Sequence, residues 1–194
     1  MTHETFPNTE PLTTEADPDA LIGEQRPSNL SPELQAMVRT PEFKEWFGDW
    51  ENDAESASKI VDENGEPKLV YFGGPAGITQ LSGDRRENTG ADELGFYFTN
   101  RYSNARFYAT SRRDRVTDEP VPSSVYGVFL NVRSPYVRQT GDGVVTERVT
   151  SVPEGFDGYI NDGAQELVVF SADQAALVAE EPIVRRQRGE TLVA

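Results

Sequence analysis

The run Glu166-Leu167-Val168-Val169-Phe170 sets one carboxylate at the head of an otherwise apolar strand. A carboxylate beside hydrophobic neighbours is placed for use in catalysis, and the same composition also describes a plain exposed strand start. Gly73-Gly74 follows the apolar run Lys68-Leu69-Val70-Tyr71-Phe72. By pattern alone, the two glycines read as a turn that ends a strand. Tyr97 and Tyr108 lie eleven residues apart, and tyrosines on a strand and on the helix after it read first as core. Other chemistry is excluded by what is missing. With no cysteine there is no disulfide, no thiolate zinc site and no cysteine nucleophile. The single histidine is His3, in the N-terminal tail, so the body of the chain has no histidine base and no histidine metal ligand. No Asp/Glu metal cluster stands out, and no metal is expected.

Composition sets the frame for these residues. The 194 residues suit one domain with a tail, and a hydrophobic content of 36% is low enough to leave part of the chain outside a core. Aromatic residues make up 10% and cluster after Phe43, which is where a core is expected. Net charge is -15, a surface that repels phosphate backbones, so generic nucleic-acid binding is disfavoured. Residues 1–33 hold seven acidic residues and one arginine, a net of -6, so the body is acidic as well. The first twenty residues lack the basic start and apolar run of a secretory signal, and no stretch approaches the ~20 apolar residues of a membrane span. The expectation is a cytoplasmic protein with no membrane partner.

The positioning elements are legible in outline. Residues 1–29, with four prolines, read as a disordered acidic arm. Ser31-Pro32-Glu33 and Thr40-Pro41-Glu42 each read as an N-cap followed by proline at the first helical position. The second helix carries Phe43, Trp46, Phe47 and Trp50 on one face for packing. Asn64-Gly65 is a turn. Strands are expected over residues 68–72, 94–99, 124–132, 136–138, 158–160 and 166–170, with a helix over 104–111. Apolar residues on both faces of 124–132 mark it as buried. A last short helix is expected over 173–180. The domain then spans 30–185, residues 186–194 form a flexible tail, and the fold class is α+β, with N-terminal helices before most of the strands.

Four pieces in order carry a resemblance: Phe43 to Trp50 (FKEWFGDW), Val70 to Gly74 (VYFGG), Gly95 to Thr99 (GFYFT) and Glu166 to Phe170 (ELVVF). Over residues 40–175 the chain resembles ADP-ribosyltransferase domains of phage and mobile-element polyvalent proteins, similar to the His-Tyr-Glu group of poly-ADP-ribose polymerases and diphtheria toxin. The resemblance implies a split β-sheet core and NAD as substrate. It implies that Glu166 bonds the ribose 2′-hydroxyl and stabilises the oxocarbenium-like state, that the Gly73 backbone meets the carboxamide, and that Tyr97 and Tyr108 flank the nicotinamide ring. The spacing from Tyr97 to Tyr108 matches that of the polymerase-like group. Phe72 stands where the family has histidine, and Gly74 where Thr or Ser often follows. Phenylalanine neither donates nor accepts, though it can pack against the cofactor; a lost hydrogen bond costs on the order of 0.5–3 kcal/mol.

Arginine-modifying members often have Glu two residues before the catalytic Glu, and some other members have Gln there. Here that position is Ala164, with Gln165 adjacent, so arginine is not supported as acceptor. Two functions follow. One is a transferase that modifies a host protein or other macromolecule, as a phage or mobile-element effector in an infected cell. The other is a degenerate module on the same fold that binds a nucleotide signal or a protein partner, in a counter-defence or inhibitory role.

Overall fold

In a computed structural model, residues 28–82, 95–114, 116–138, 152–161 and 165–184 are described. The acidic arm up to residue 27 and the tail after 184 lie outside them. Both N-terminal helices start as their sequences dictate. The Ser31 side chain accepts from the Leu34 N–H and opens α1 (Pro32–Val38), and Thr40 accepts from the Phe43 N–H to open α2 (Pro41–Phe47). Gly48 ends α2 at φ 102°, a conformation that favours glycine. Phe43, Phe47 and Trp50 then pack on Phe129, and the Trp50 ring nitrogen donates to the Val38 carbonyl. The tryptophan thereby buries its apolar body with its polar atom satisfied. The Asn64-Gly65 turn is present, with Gly65 at φ 76° and Val61 bridged to Pro67.

Among the described residues, one helix and seven strands follow: β1 (Val70–Pro75), β2 (Phe96–Thr99), α3 (Tyr102–Thr110), β3 (Ser123–Leu130), β4 (Pro135–Arg138), β5 (Gly158–Asn161), β6 (Glu166–Val169) and β7 (Ala175–Pro182). The strands form a mixed sheet in the order β4-β5-β6-β2-β1-β3-β7, in which β4 and β5 run parallel and the other described pairs antiparallel. The α+β class holds. β3 lies between β1 and the edge strand β7 and is buried at all eight positions.

The sheet is continuous but nearly divided. β1 shares six register pairs with β3, yet it meets β2 at a single pair, Tyr71 opposite Thr99. Two half-sheets, β4-β5-β6-β2 and β1-β3-β7, are therefore joined through one residue pair among the described residues.

Two sequence expectations change. Gly73 and Gly74 do not end the strand but lie within β1, opposite Val125 and Ser124. Residues 173–180 are not a helix: a 3₁₀ turn (Ala172–Gln174) leads into β7, which pairs with β3 along its length. The Ala and Glu content of this segment favours a helix locally. Hydrogen bonds to the buried strand β3 outweigh that preference.

Candidate active site

Residues directly opposite one another on paired strands point to the same face of a sheet. The register therefore defines a row across the whole molecule: Arg138, Asn161, Glu166, Thr99, Tyr71, Gly127 and Ala179. The next row on that face is Tyr136, Tyr159, Val168 and Tyr97 on one half-sheet, then Gly73, Val125 and Glu181 on the other. No strand pairing joins Tyr97 to Gly73. The opening between the half-sheets thus lies beside these two residues, with Glu166 one row away. At typical strand spacing, Glu166 is about 10 Å across the sheet from Tyr71.

Helix α3 closes one side of the opening. Ala105 and Ala109 are buried against Val125 and Tyr71. A Cβ built on Gly73 would sit 2.1 Å from the Ala105 carbonyl oxygen and 2.8 Å from the Ala109 nitrogen. Glycine at 73 is what allows the helix backbone to approach this strand.

The expected site residues separate into groups. Glu166 is half-buried at the start of β6, with Thr99 and Asn161 as its strand partners. Tyr97 is half-buried and packs with Tyr159, Val168 and Tyr136. Tyr108 stands on α3 with 65% of its surface exposed, its ring 5.8 Å from that of Phe107 in an edge-on contact. Tyr97 and Tyr108 thus belong to different packing groups. Phe72 points to the opposite face of β1. It is 5% exposed within the main core, with ring centroids 5.8 Å from Phe98 and 6.2 Å from Tyr126. Its ring also lies over Gly74, where an added Cβ would come within 2.4 Å of Phe72 Cε1. The two departures from the resembled pattern, Phe72 and Gly74, are one packing arrangement.

Further residues gather around Glu166 that the sequence did not single out. Tyr159 is buried, and burial pushes its phenol above the ordinary value. A hydrogen bond from Arg138 opposes that shift, the charge of Glu166 adds to it, and Asn161 also bonds the hydroxyl. Below Glu166 the strand ends form a cleft of about 140 Å³, with Lys59, Lys68, Asn100, Asn161, Gln165 and Glu166 among its lining. Gln165 holds a left-handed conformation at φ 54°, and its side-chain oxygen is buried without a hydrogen-bond partner. The only local signal for Asn161 was a polar residue closing an apolar strand; Lys68 and Asn100 come from distant segments. Among the described residues, no group of three or more His, Cys, Asp or Glu side chains gathers as for a metal, and no helix is long and apolar enough to cross a membrane.

These features meet in a divided sheet with a carboxylate beside its opening. Residues 62–152 match the family "ADP-Ribosyltransferase in polyvalent proteins". The matched segment contains β1, β2, α3, β3 and β4, and hence Phe72, Gly73, Tyr97 and Tyr108. Glu166 and the aromatic helix α2 lie outside the matched residues. The resemblance carried by the second and third sequence pieces is thereby borne out. No curated protein matches the chain.

Proposed function

We propose that the protein is an NAD-dependent ADP-ribosyltransferase that modifies a protein acceptor or another macromolecule, with Glu166 as its catalytic carboxylate. The unpaired interval between Tyr97 and Gly73, with Glu166 in the neighbouring row, carries this reading. NAD supplies the nicotinamide–ribose bond that breaks, and positive charge develops on the sugar as the base departs. A carboxylate fixed at that point stabilises such charge without reorganising. The residues fit NAD in part. The β1 edge at Gly73 has no β2 partner, Tyr97 borders the interval, and Tyr108 on α3 has an accessible ring. Phe72, directed into the core, offers the substrate no hydrogen bond.

Incubation of the full chain with labelled NAD and a bacterial lysate is expected to give labelled bands. Glu166→Ala should lower the rate by about 10²–10³-fold, the effect of removing one group that stabilises transition-state charge. Wild type with neither NAD turnover nor labelling would contradict the proposal.

The buried Phe72 favours one second reading, a binding module without catalysis that takes a nucleotide or a protein partner in a counter-defence role. Titration calorimetry with NAD and ADP-ribose distinguishes it: binding without turnover, retained in Glu166→Ala, is its expected result. An effector role in a phage-infected cell and a cytoplasmic setting belong to the same proposal.

A further inference from the structure

Three strands bring opposite charges onto one face of the half-sheet that carries Glu166. Asn161 on β5 lies opposite Arg138 on β4 and Glu166 on β6, and Tyr159, two residues before it, shares that face. Two strand spacings separate Arg138 from Glu166, about 10 Å between backbones. Two long side chains can close most of that distance. Tyr159 and Asn161 stand between them, with 2% and 5% of their surfaces exposed.

The row converges on the Tyr159 hydroxyl. Arg138 bonds it and, as a guanidinium, can only donate; the Asn161 side chain bonds it as well. With its oxygen accepting, the hydroxyl keeps its own proton to give, and Glu166 is the carboxylate whose charge acts on it. Burial strengthens such contacts, because water no longer screens them. Other titratable groups face Glu166 from their own elements: Tyr97 on β2, Tyr71 on β1, and Lys59 and Lys68 across the cleft. The Lys59 ammonium is engaged by the carbonyls of Ala54 and Glu55. Arg138 differs from both lysines in approaching along the sheet, through a buried hydroxyl.

We propose that Arg138 is a positioning residue for Glu166 and acts through Tyr159 and Asn161. The arginine fixes the Tyr159 hydroxyl, the hydroxyl proton is directed at the carboxylate, and the positive charge keeps that carboxylate ionised. The proposal rests on the transferase reading and deepens it, since a carboxylate stabilises the charged sugar only while it is ionised and held in place. The edge strand β4 thereby takes part in a site whose carboxylate lies two strands away.

The test measures NAD hydrolysis by the full chain as a function of pH. Arg138→Gln should lower kcat by about ten- to a hundredfold with KM nearly unchanged, as for a displaced catalytic group. Its kcat should also fall away at a higher pH than that of wild type, because losing a nearby cation makes Glu166 harder to ionise. Arg138→Lys keeps the charge and should keep the wild-type acid limb. Tyr159→Phe should lower kcat as well. The double variant of Arg138→Gln and Tyr159→Phe should be little slower than Arg138→Gln alone, because one chain of contacts is cut twice. Without NAD, the NMR resonance of the Tyr159 phenol carbon, assigned as the line lost in Tyr159→Phe, should follow a carboxylate ionisation. That response should vanish in Glu166→Gln and move to higher pH in Arg138→Gln. Multiplied losses in the double variant, an unmoved acid limb, an effect on KM alone, or a resonance indifferent to Glu166→Gln overturns the positioning role and leaves transfer standing. A wild type that turns over no NAD overturns the transferase reading, and the resonance then decides by itself whether Arg138 acts on Glu166.

Discussion

Phe72 and Gly73 are neighbours on one strand with opposite duties. Alternation sends Phe72 into the core, while Gly73 faces α3. Phe72→Ala should cost about 3–5 kcal/mol in denaturant unfolding, the usual range for a buried phenylalanine. Phe72→His should not raise NAD turnover, because the imidazole would be buried beside Phe98 and Tyr126, where it costs stability and meets no substrate. A rise in turnover with stability intact would show that position 72 reaches the site. Gly73→Ala should force α3 away from β1, at about 1–3 kcal/mol for overpacking, with chemical denaturation as the check. Position 74 is coupled to 72. Gly74→Thr alone meets the Phe72 ring and should be the more damaging change; paired with a smaller residue at 72 it should recover part of the loss in a double-mutant cycle. Glu166 was legible because one charge at the head of an apolar run is visible locally. Lys68, Asn100 and Asn161 were not, since only the folded sheet brings their segments together.

Elements reveal themselves in sequence when local preference and tertiary role agree. β3 was readable because both its faces are apolar, and α1 and α2 because each begins with a cap and a proline. β7 was misread because alanine and glutamate suit an isolated helix, whereas this segment pairs along the edge of β3. Part of what holds it there is polar. Glu180 accepts from Ser124 Oγ at 2.6 Å, from the Gly77 N–H at 2.9 Å and from the Tyr126 hydroxyl at 3.0 Å, tying β7 to the segment after β1. These bonds, the one from Ser124 foremost, hold the Glu180 carboxyl below the ordinary glutamate range. A lowered pKa in the folded state means the contribution is complete above the unfolded value and is lost as pH falls through the folded one. Glu180→Gln should therefore flatten the decline of melting temperature on acidification below about pH 4.5. Wild type and variant melting in parallel across pH 3–6 would remove this role.

The whole molecule is organised around a division. The α+β class was legible, and the resemblance led to the split sheet. The place of the split was not, since it depends on where β2 stops pairing with β1. The N-terminal helices cover Phe129 on β3, Val178 on β7 and Leu69 just before β1, all in the β1-β3-β7 half. A chain begun at residue 28 should keep the wild-type melting temperature, since Ser28 and Asn29 already bond Glu66, Asp62 and Glu63. One begun at residue 48 should melt much lower, because it uncovers that aromatic cluster; circular dichroism melting measures both. The single pair Tyr71–Thr99 has a mechanical consequence. Glu166 rides on one half-sheet and Gly73 on the other, so a small rotation about that junction alters the separation of the groups expected to hold the two ends of the breaking bond. A ligand that bridges the two half-sheets should therefore act as a splint across that junction. Amide hydrogen exchange at Tyr71 and Thr99 should slow when such a ligand is added.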